Sequence, residues 1–387
     1  MARRKKKTFF DKIDREQLEL VQAPCEHFGD CGGCSFQDIK YIDQVQLKTN
    51  YLKDLFKRDI EVISAKEQYN YRNRMDFVYA FGKLGLRKKG NFREVVEINE
   101  CKLVPQQFQD LFQKVKTLLK EHNIPSYDFL EHKGFLRYVT FRYAPINNEV
   151  MIFFSSTTPT EEQEEAFKKL ISDLEKDVTS IYWQINDSIT DTSIFPNNPI
   201  YFQTGKKEIT ETIEKTKLSY GPFSFFQNNS QMAEIVFEDI KKEISGEVMD
   251  VCCGVGSIGL FVADKAKAIT GIEEIQEAIN YAKKNKEQNN ITNTTFFVDD
   301  MKRLGDHAPL HVDVVIVDPP RAGLGNKVVK KIVEVFPDKI VYMSCNPKTQ
   351  REDFKGLEEH YEIISMKGYD LFPQTPHVET LAVLVKK

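Results

Sequence analysis

No run of about 18 apolar residues occurs anywhere in this 387-residue sequence, so no membrane-spanning helix is expected. No charge of one sign dominates either. Fifty-four basic against 58 acidic residues leave a net charge of −4, which argues against a simple basic coat for nucleic acid. Cysteine is sparse and odd in number: seven in a chain this long disfavour a disulfide scaffold and predict a reducing, cytoplasmic compartment. Internal repeats and low-complexity segments are absent. The basic start, Arg3 to Lys7, lacks the apolar segment that a signal peptide needs behind it, so secretion is not expected.

What is present suits a globular enzyme. Charged residues make up 29% and hydrophobic ones 41%, and the length predicts two domains. Texture divides the chain into a basic tail at 1–15, a cysteine-bearing, β-rich region at 16–222 and an alternating region at 223–387. The tail can touch a phosphate backbone. Residues 38–56 have a helical look. Residues 74–81, 135–143 and 150–154 alternate at period two and predict antiparallel strands. One helix is expected among them, near 159–176, where acidic residues at the start suit the helix dipole. Beyond 225, strands at 248–252, 268–273, 294–298, 312–317 and 339–344 alternate with helices from 257 and at 275–288, 327–336 and 350–359. Two further strands, 361–367 and 379–385, follow. This pattern predicts a doubly wound, mostly parallel α/β sheet with helices on both faces.

Asp250-Val-Cys-Cys-Gly254-Val-Gly256-Ser-Ile-Gly259 follows a buried strand and opens a helix. Its glycines let the backbone turn sharply and approach a ligand. Asp250 precedes them at the strand end, where a sulfonium or amino group is welcome. Glu273 ends the next strand, where a carboxylate can accept ribose hydroxyl bonds. These local features fit S-adenosylmethionine or NAD, and both readings stay open at this point.

Cys345 follows a strand in Tyr342-Met-Ser-Cys345-Asn-Pro-Lys-Thr, and so falls at the carboxyl edge of the sheet, where open α/β sheets bind their ligands. Asp318, in Val317-Asp-Pro-Pro-Arg-Ala-Gly323, ends another strand on that edge. A proline-rich segment, Leu371-Phe-Pro-Gln-Thr-Pro-His-Val-Glu379, brings Glu379 to the start of an apolar strand, an unusual place for a carboxylate. Upstream, Cys25-x5-Cys31-x2-Cys34 and the distant Cys101 make a set of four thiols, with Gly29, Gly32 and Gly33 to wrap the backbone closely around a metal. Tetrahedral zinc and a four-cysteine iron–sulfur cluster both remain open; a fourth cysteine standing alone leans toward the cluster. Tyr71-Arg-Asn-Arg74, Arg87-Lys-Lys89 and Arg93 mix basic and aromatic residues in the way that grips phosphates and stacks on unpaired bases.

The ordered set Asp-x-x-Cys-Gly-x-Gly-Ser-Ile-Gly, Asp-Pro-Pro-Arg-Ala-Gly, Ser-Cys-Asn-Pro-x-Thr and Phe-Pro-Gln-Thr-x-His-Val-Glu resembles the RNA uracil-C5 (5-methyluridine) methyltransferases. Similarity extends to Phe225-Phe-Gln227-Asn-Asn, to Tyr71-Arg-Asn-Arg74 and to the N-terminal cysteines, and so covers most of the chain. The resemblance implies a class I methyltransferase domain using S-adenosylmethionine. It implies cofactor contacts at Gln227, Cys252, Ser257, Glu273, Asp300 and Asp318. Cys252 departs from the family, which usually has an aromatic residue there. The resemblance further implies a four-iron (4Fe-4S) cluster on Cys25, Cys31, Cys34 and Cys101, in a branch whose N-terminal β-barrel RNA-binding module has no room here.

The chemistry fits these residues independently. Uracil C5 is a poor nucleophile. A thiolate from Cys345 adding at C6 makes C5 an enolate carbon that can take a sulfonium methyl. A base, Glu379, must then remove the C5 proton. The expected function is methylation of a uridine at C5 in structured ribosomal or transfer RNA by a monomeric enzyme. Two rivals are a non-catalytic iron–sulfur RNA-binding protein and a cytosine-C5 methyltransferase. Base flipping or a single-stranded loop is required, because the ring cannot react while stacked.

Overall fold

The computed structural model describes residue 13 and residues 18–387 apart from 197; the basic tail at 1–15 otherwise lies outside the described residues. The C-terminal region forms the parallel sheet expected. Thr294–Val298, Ala268–Glu273, Glu247–Val251, Val314–Val317 and Lys339–Ser344 lie side by side in that order, all parallel. Glu379–Lys386 then adds antiparallel to Lys339–Ser344, and Tyr361–Tyr369 lies beyond it. These strands are apolar on both faces because helices cover both, as burial of all four residues of Val314–Val317 illustrates. The chain leaves Glu247–Val251 toward one edge and later crosses to Val314–Val317 on its other side. That reversal opens a crevice outside the carboxyl ends of the two strands. Asp250, Cys252 and Asp318 sit at its mouth.

Two pieces of the N-terminal region belong spatially to this sheet. Helix Tyr41–Phe56 buries Tyr51, Leu52 and Phe56 in one cluster with Phe354, Leu357 and Tyr361. Strand Val62–Ile63 pairs in parallel with Gly368 and Tyr369. The texture boundary at 222 missed this because the partners lie about three hundred residues away in sequence.

The central region forms a second sheet of nine strands, mostly antiparallel, including Arg74–Ala80, Leu136–Ala144 and Glu149–Ser156. Two helices pack on it rather than the one expected: Glu161–Leu174, and Gln106–Glu121, which buries Phe108, Phe112, Val115, Leu118 and Leu119 at helical spacing. Thr160 opens the former with a capping box shared with Gln163. The other face of the sheet is also covered. Met151, Phe153 and Tyr182 share a cluster with Ile209, Leu218, Tyr220 and Phe226, joining the two sheets through one core. Leu136–Ala144 is buried at every residue for this reason, so its period-two alternation separates two apolar faces.

Candidate active site

Strand ends deliver the functional side chains to one cavity of about 460 Å³. Gln227, Cys252, Glu273, Asp318, Cys345 and Glu379 all line it, so six residues singled out in the sequence meet in space. Ser257 lines a small adjoining pocket that shares Gln227, Cys252 and Asp318 with the larger one. Asp300 does not line the cavity. Its carboxylate accepts the Lys302 N–H at 2.9 Å and pairs with the Lys302 ammonium, while the neighbouring Asp299 lines the wall. Arg321 and His377, present in the quoted motifs but not assigned a role, also line the cavity, as do Phe225, Asn228 and Met301.

The glycine loop is held by carboxylates. Glu273 accepts N–H bonds from Gly254 at 3.2 Å and Ile275 at 3.0 Å, fixing the loop against the second strand. Asp250 is buried and accepts the Gly259 N–H at 3.0 Å; a Cβ at Gly259 would lie 2.8 Å from that carboxylate, so the helix packs here only with glycine. Burial, opposed by this hydrogen bond, pushes the Asp250 carboxyl up to about 7. Asp250 therefore braces the loop, where the sequence suggested a direct welcome for a cation. Cys252 adopts φ 65°, a left-handed conformation costly for a residue with a Cβ, and its Sγ lies 3.6 Å from the Met301 sulfur.

Gln227 donates to Asp318 at 3.2 Å. Burial, reinforced by Asp250, raises the Asp318 carboxyl to about 7. The Cys345 loop is fixed from below. Asn346 caps helix Pro347–Leu357 by accepting from Lys348 N–H, and donates its own amide to the Arg321 carbonyl at 2.9 Å. Thr349 donates to the same carbonyl. Asp353, accepting from Tyr342 and from the N–H groups of Leu324 and Gly325, buttresses the Asp318 loop.

Glu379 is 3% exposed, and one of its carboxylate oxygens has no hydrogen-bond partner. An unpaired buried carboxylate oxygen is costly, and this one belongs to a residue that lines the same cavity as Cys345. Burial, then Asp318, hold its carboxyl well above the usual range, with Arg321 opposing. Burial also raises the Cys345 thiol to about 11, with Glu379 and Asp318 adding and Arg321 opposing. Burial and the cations Arg321, Lys48 and Arg72 push His377 down to about 4, so this imidazole is neutral at physiological pH.

A second cavity, about 590 Å³, adjoins the first and shares Asn228, Arg321, Phe372 and His377 with it. All four of Cys25, Cys31, Cys34 and Cys101 line it. The cysteine segment hangs on strand Lys83–Lys88: Gly32 N–H donates to the Arg87 carbonyl at 2.9 Å and Lys89 N–H to Asp30 at 2.7 Å. A Cβ at Gly32 would press to 2.9 Å on that carbonyl. Arg72, Arg87, Lys88, Lys89 and Lys102 rim the cavity. Tyr71 and Asn73, expected on an RNA-facing surface, point inward instead. Tyr71 donates to the Pro373 carbonyl at 3.0 Å, and Asn73 to Gln227 and Ser230. Arg74 pairs with Asp76. Tertiary context turned this polar segment into a clamp between the two sheets.

The strand order, the crevice at its reversal and the glycine loop facing Asp318 define a class I methyltransferase that uses S-adenosylmethionine. The family model described as tRNA (Uracil-5-)-methyltransferase matches residues 40–387, so the chain belongs to that family and is an RNA (uracil-C5)-methyltransferase. A tRNA (uracil(54)-C(5))-methyltransferase from Pyrococcus furiosus is 34% identical over 365 residues, 94% of this chain and 85% of that protein. An uncharacterized RNA methyltransferase from Clostridium tetani is 34% identical over 387 residues, 95% of this chain and 84% of the relative. The Pyrococcus abyssi tRNA (uracil-54, C5)-methyltransferase, solved with S-adenosyl-L-homocysteine, superposes with a TM-score of 0.80 at 31% identity, covering 92% of this chain and 86% of that one.

Proposed function

We propose that this enzyme methylates C5 of a uridine in transfer RNA through a transient covalent bond between Cys345 and C6, with Glu379 as the base. The observation that carries this reading is the meeting of Cys345, with Arg321 beside it, and the unpaired Glu379 carboxylate on one cavity. Bound S-adenosylmethionine supplies an electrophilic methyl group. Gln227, Cys252, Ser257, Glu273 and Asp318 would hold it, with Asp300 next to the lining residue Asp299. The Cys345 thiol, partly open to solvent, gives its proton to water, and the thiolate sulfur adds to C6, which moves the ring electrons to C5. Once C5 carries the methyl, Glu379 takes the C5 proton and the electrons left behind expel the Cys345 thiolate. Arg321 favours both anions on this path, the thiolate and the carboxylate. The names of the relatives favour transfer over ribosomal RNA. Reacting unmodified tRNA and ribosomal RNA separately with labelled methyl donor, followed by nucleoside mass spectrometry, tests this: 5-methyluridine in tRNA is expected. Label in 5-methylcytidine, or in ribosomal RNA alone, overturns it.

Asp318, poised near neutrality, gives the cofactor site a pH signature. A sulfonium cation favours the ionised carboxylate, whereas S-adenosylhomocysteine carries no charge at sulfur. Below a pKa of about 7 Asp318 takes up a proton, so the preference for the cation is present above that pH and fades as pH falls through it. The ratio of the two dissociation constants, measured by calorimetry on either side of neutrality, is expected to shift several-fold. A flat ratio removes Asp318 from contact with the charge.

We infer that the four thiols hold an iron–sulfur cluster with a structural role. The Gly33 N–H donates to the Cys31 sulfur at 3.3 Å, and the backbone here is anchored to a rigid strand. Among the described residues, three metal-ligand atoms come within 4.8 Å of one another only at His311, Asp313 and Asp338. No three of the four thiols are therefore mutually within 4.8 Å, whereas 2.3 Å bonds to tetrahedral zinc require all of them at ~3.8 Å spacing. Protein purified without air is expected to be brown, with bound iron and sulfide, and Cys31→Ser to bleach it. Stoichiometric zinc without sulfide refutes the cluster. The basic rim around these thiols is the path by which RNA reaches the reaction cavity, and a monomer in a reducing cytoplasm suffices.

A further inference from the structure

The segment between the last two strands, residues 370–378, forms the wall between the two cavities through Phe372 and His377. Besides the Tyr71 bond to the Pro373 carbonyl, that wall is held at a second point. Its centre is Gln374, 1% exposed and at φ 69°, a left-handed conformation that costs a non-glycine residue free energy. Gln44, on the N-terminal helix Tyr41–Phe56 and also 1% exposed, meets it with a reciprocal amide pair. The Gln44 Nε2 donates to the Gln374 side-chain oxygen at 2.9 Å, and the Gln374 backbone N–H donates to Gln44 Oε1 at 3.1 Å. The same Nε2 reaches the carbonyls of Phe36 at 3.0 Å and Ile39 at 2.9 Å. The backbone N–H groups of Ser35 and Phe36, immediately after Cys34, donate to the Gln374 carbonyl at 2.9 and 3.1 Å. A strained residue persists only where its surroundings over-determine it, and here two separate chain segments do so.

We propose that Gln44 and Gln374 are positioning residues: a latch through which the four-cysteine segment holds Phe372 and His377 where the target uridine enters. The latch touches neither cofactor nor the reacting atoms. Its loss leaves cofactor binding intact, because Gln227, Glu273 and Asp318 stand on other elements. It misplaces the wall against which the flipped base must lie before Cys345 can add. The proposal rests on Cys345 being the nucleophile, and the test separates the two.

The probe is a tRNA transcript containing 5-fluorouridine, incubated with enzyme and methyl donor. Fluorine at C5 cannot leave as a cation, so the adduct, once formed and methylated, cannot be resolved and accumulates on denaturing gels. Gln44→Ala and Gln374→Gly are compared with wild type for adduct rate, S-adenosylhomocysteine affinity and melting temperature. Glycine at 374 removes the side-chain bond from Gln44 and frees the backbone to leave φ 69°, while relief of the left-handed strain offsets part of the lost burial, so that variant still folds and its melting temperature reports the remaining cost. Both variants are expected to retain cofactor affinity and to form adduct about 10²-fold more slowly, the scale of a displacement near 1 Å. A stable, cofactor-binding protein that fails to form adduct is what a merely structural role does not produce. Wild-type adduct rates in both variants overturn the latch. Wild-type enzyme that forms no adduct, while still making 5-methyluridine in natural tRNA, overturns the Cys345 reading instead, and the latch with it.

Discussion

Glu379→Gln enzyme, given substrate RNA and methyl donor, is expected to accumulate as a covalent protein–RNA adduct that already carries the new methyl group. Addition of Cys345 and methyl transfer do not need the base; release does, because the thiolate leaves only when the C5 proton has gone. Glutamine has nearly the shape of the glutamate but accepts no proton at neutral pH. Its site is buried, and water, the alternative base, has little access: Glu379 is 3% exposed. Turnover is expected to fall ~10²–10⁴-fold, the usual worth of a positioned proton acceptor. The adduct should survive denaturing gels, contain label from the methyl donor, and vanish in the double variant with Cys345→Ala. Glu379→Gln enzyme that turns over at the wild-type rate and accumulates no adduct removes Glu379 from the mechanism.

Lys48→Met is expected to lower stability by ~3–5 kcal/mol, the cost of leaving one buried charge without its partner. Lys48 and Asp370 are both fully buried, 2.6 Å apart, and Lys48 also donates to the Phe372 carbonyl at 3.2 Å. The other Asp370 oxygen has no partner, and the Tyr41 hydroxyl, which also bonds to Asp370, is neutral and offsets only part of the loss once the ammonium is gone. Adding Asp370→Leu should recover most of the loss, since removal of both members of a buried pair is often near neutral. Denaturant unfolding of the two single variants and the double variant measures this. A single variant within about 0.5 kcal/mol of wild type shows that water reaches the pair.

What the sequence revealed and what it hid divide along the range of the interactions. Cys345, Asp318 and Glu273 were legible because each lies at the end of a short apolar strand, and strand ends on a parallel sheet share an edge by construction. Asp299 and Asp300 were not separable: which of two adjacent residues lines the cavity depends on a single 3-10 turn that Asp300 caps. Helix Gln106–Glu121 was legible in principle, from Phe108, Phe112, Val115 and Leu119, but lay in a stretch read for its β-branched neighbours. Tyr71, Asn73, Gln44 and Lys48 were beyond local reading altogether. Their partners, Pro373, Gln227, Gln374 and Asp370, lie between about 150 and 330 residues away, and polar residues of this kind are on average exposed.

The pairing of Val62–Ile63 with Gly368 and Tyr369 has a consequence for how the chain is made. Helix Tyr41–Phe56 emerges from the ribosome early, with Leu52 and Phe56 looking for a surface that includes Tyr361. At ~5–20 residues per second, that surface is some tens of seconds away. Until then an apolar helix face waits uncovered, the situation in which nascent chains recruit holding chaperones or stick to one another. Closure of so long a loop is slow relative to local contacts, so helix Tyr41–Phe56 is expected to dock late in folding. A pulse-labelled chain should therefore acquire protection in its central sheet before its N-terminal helix.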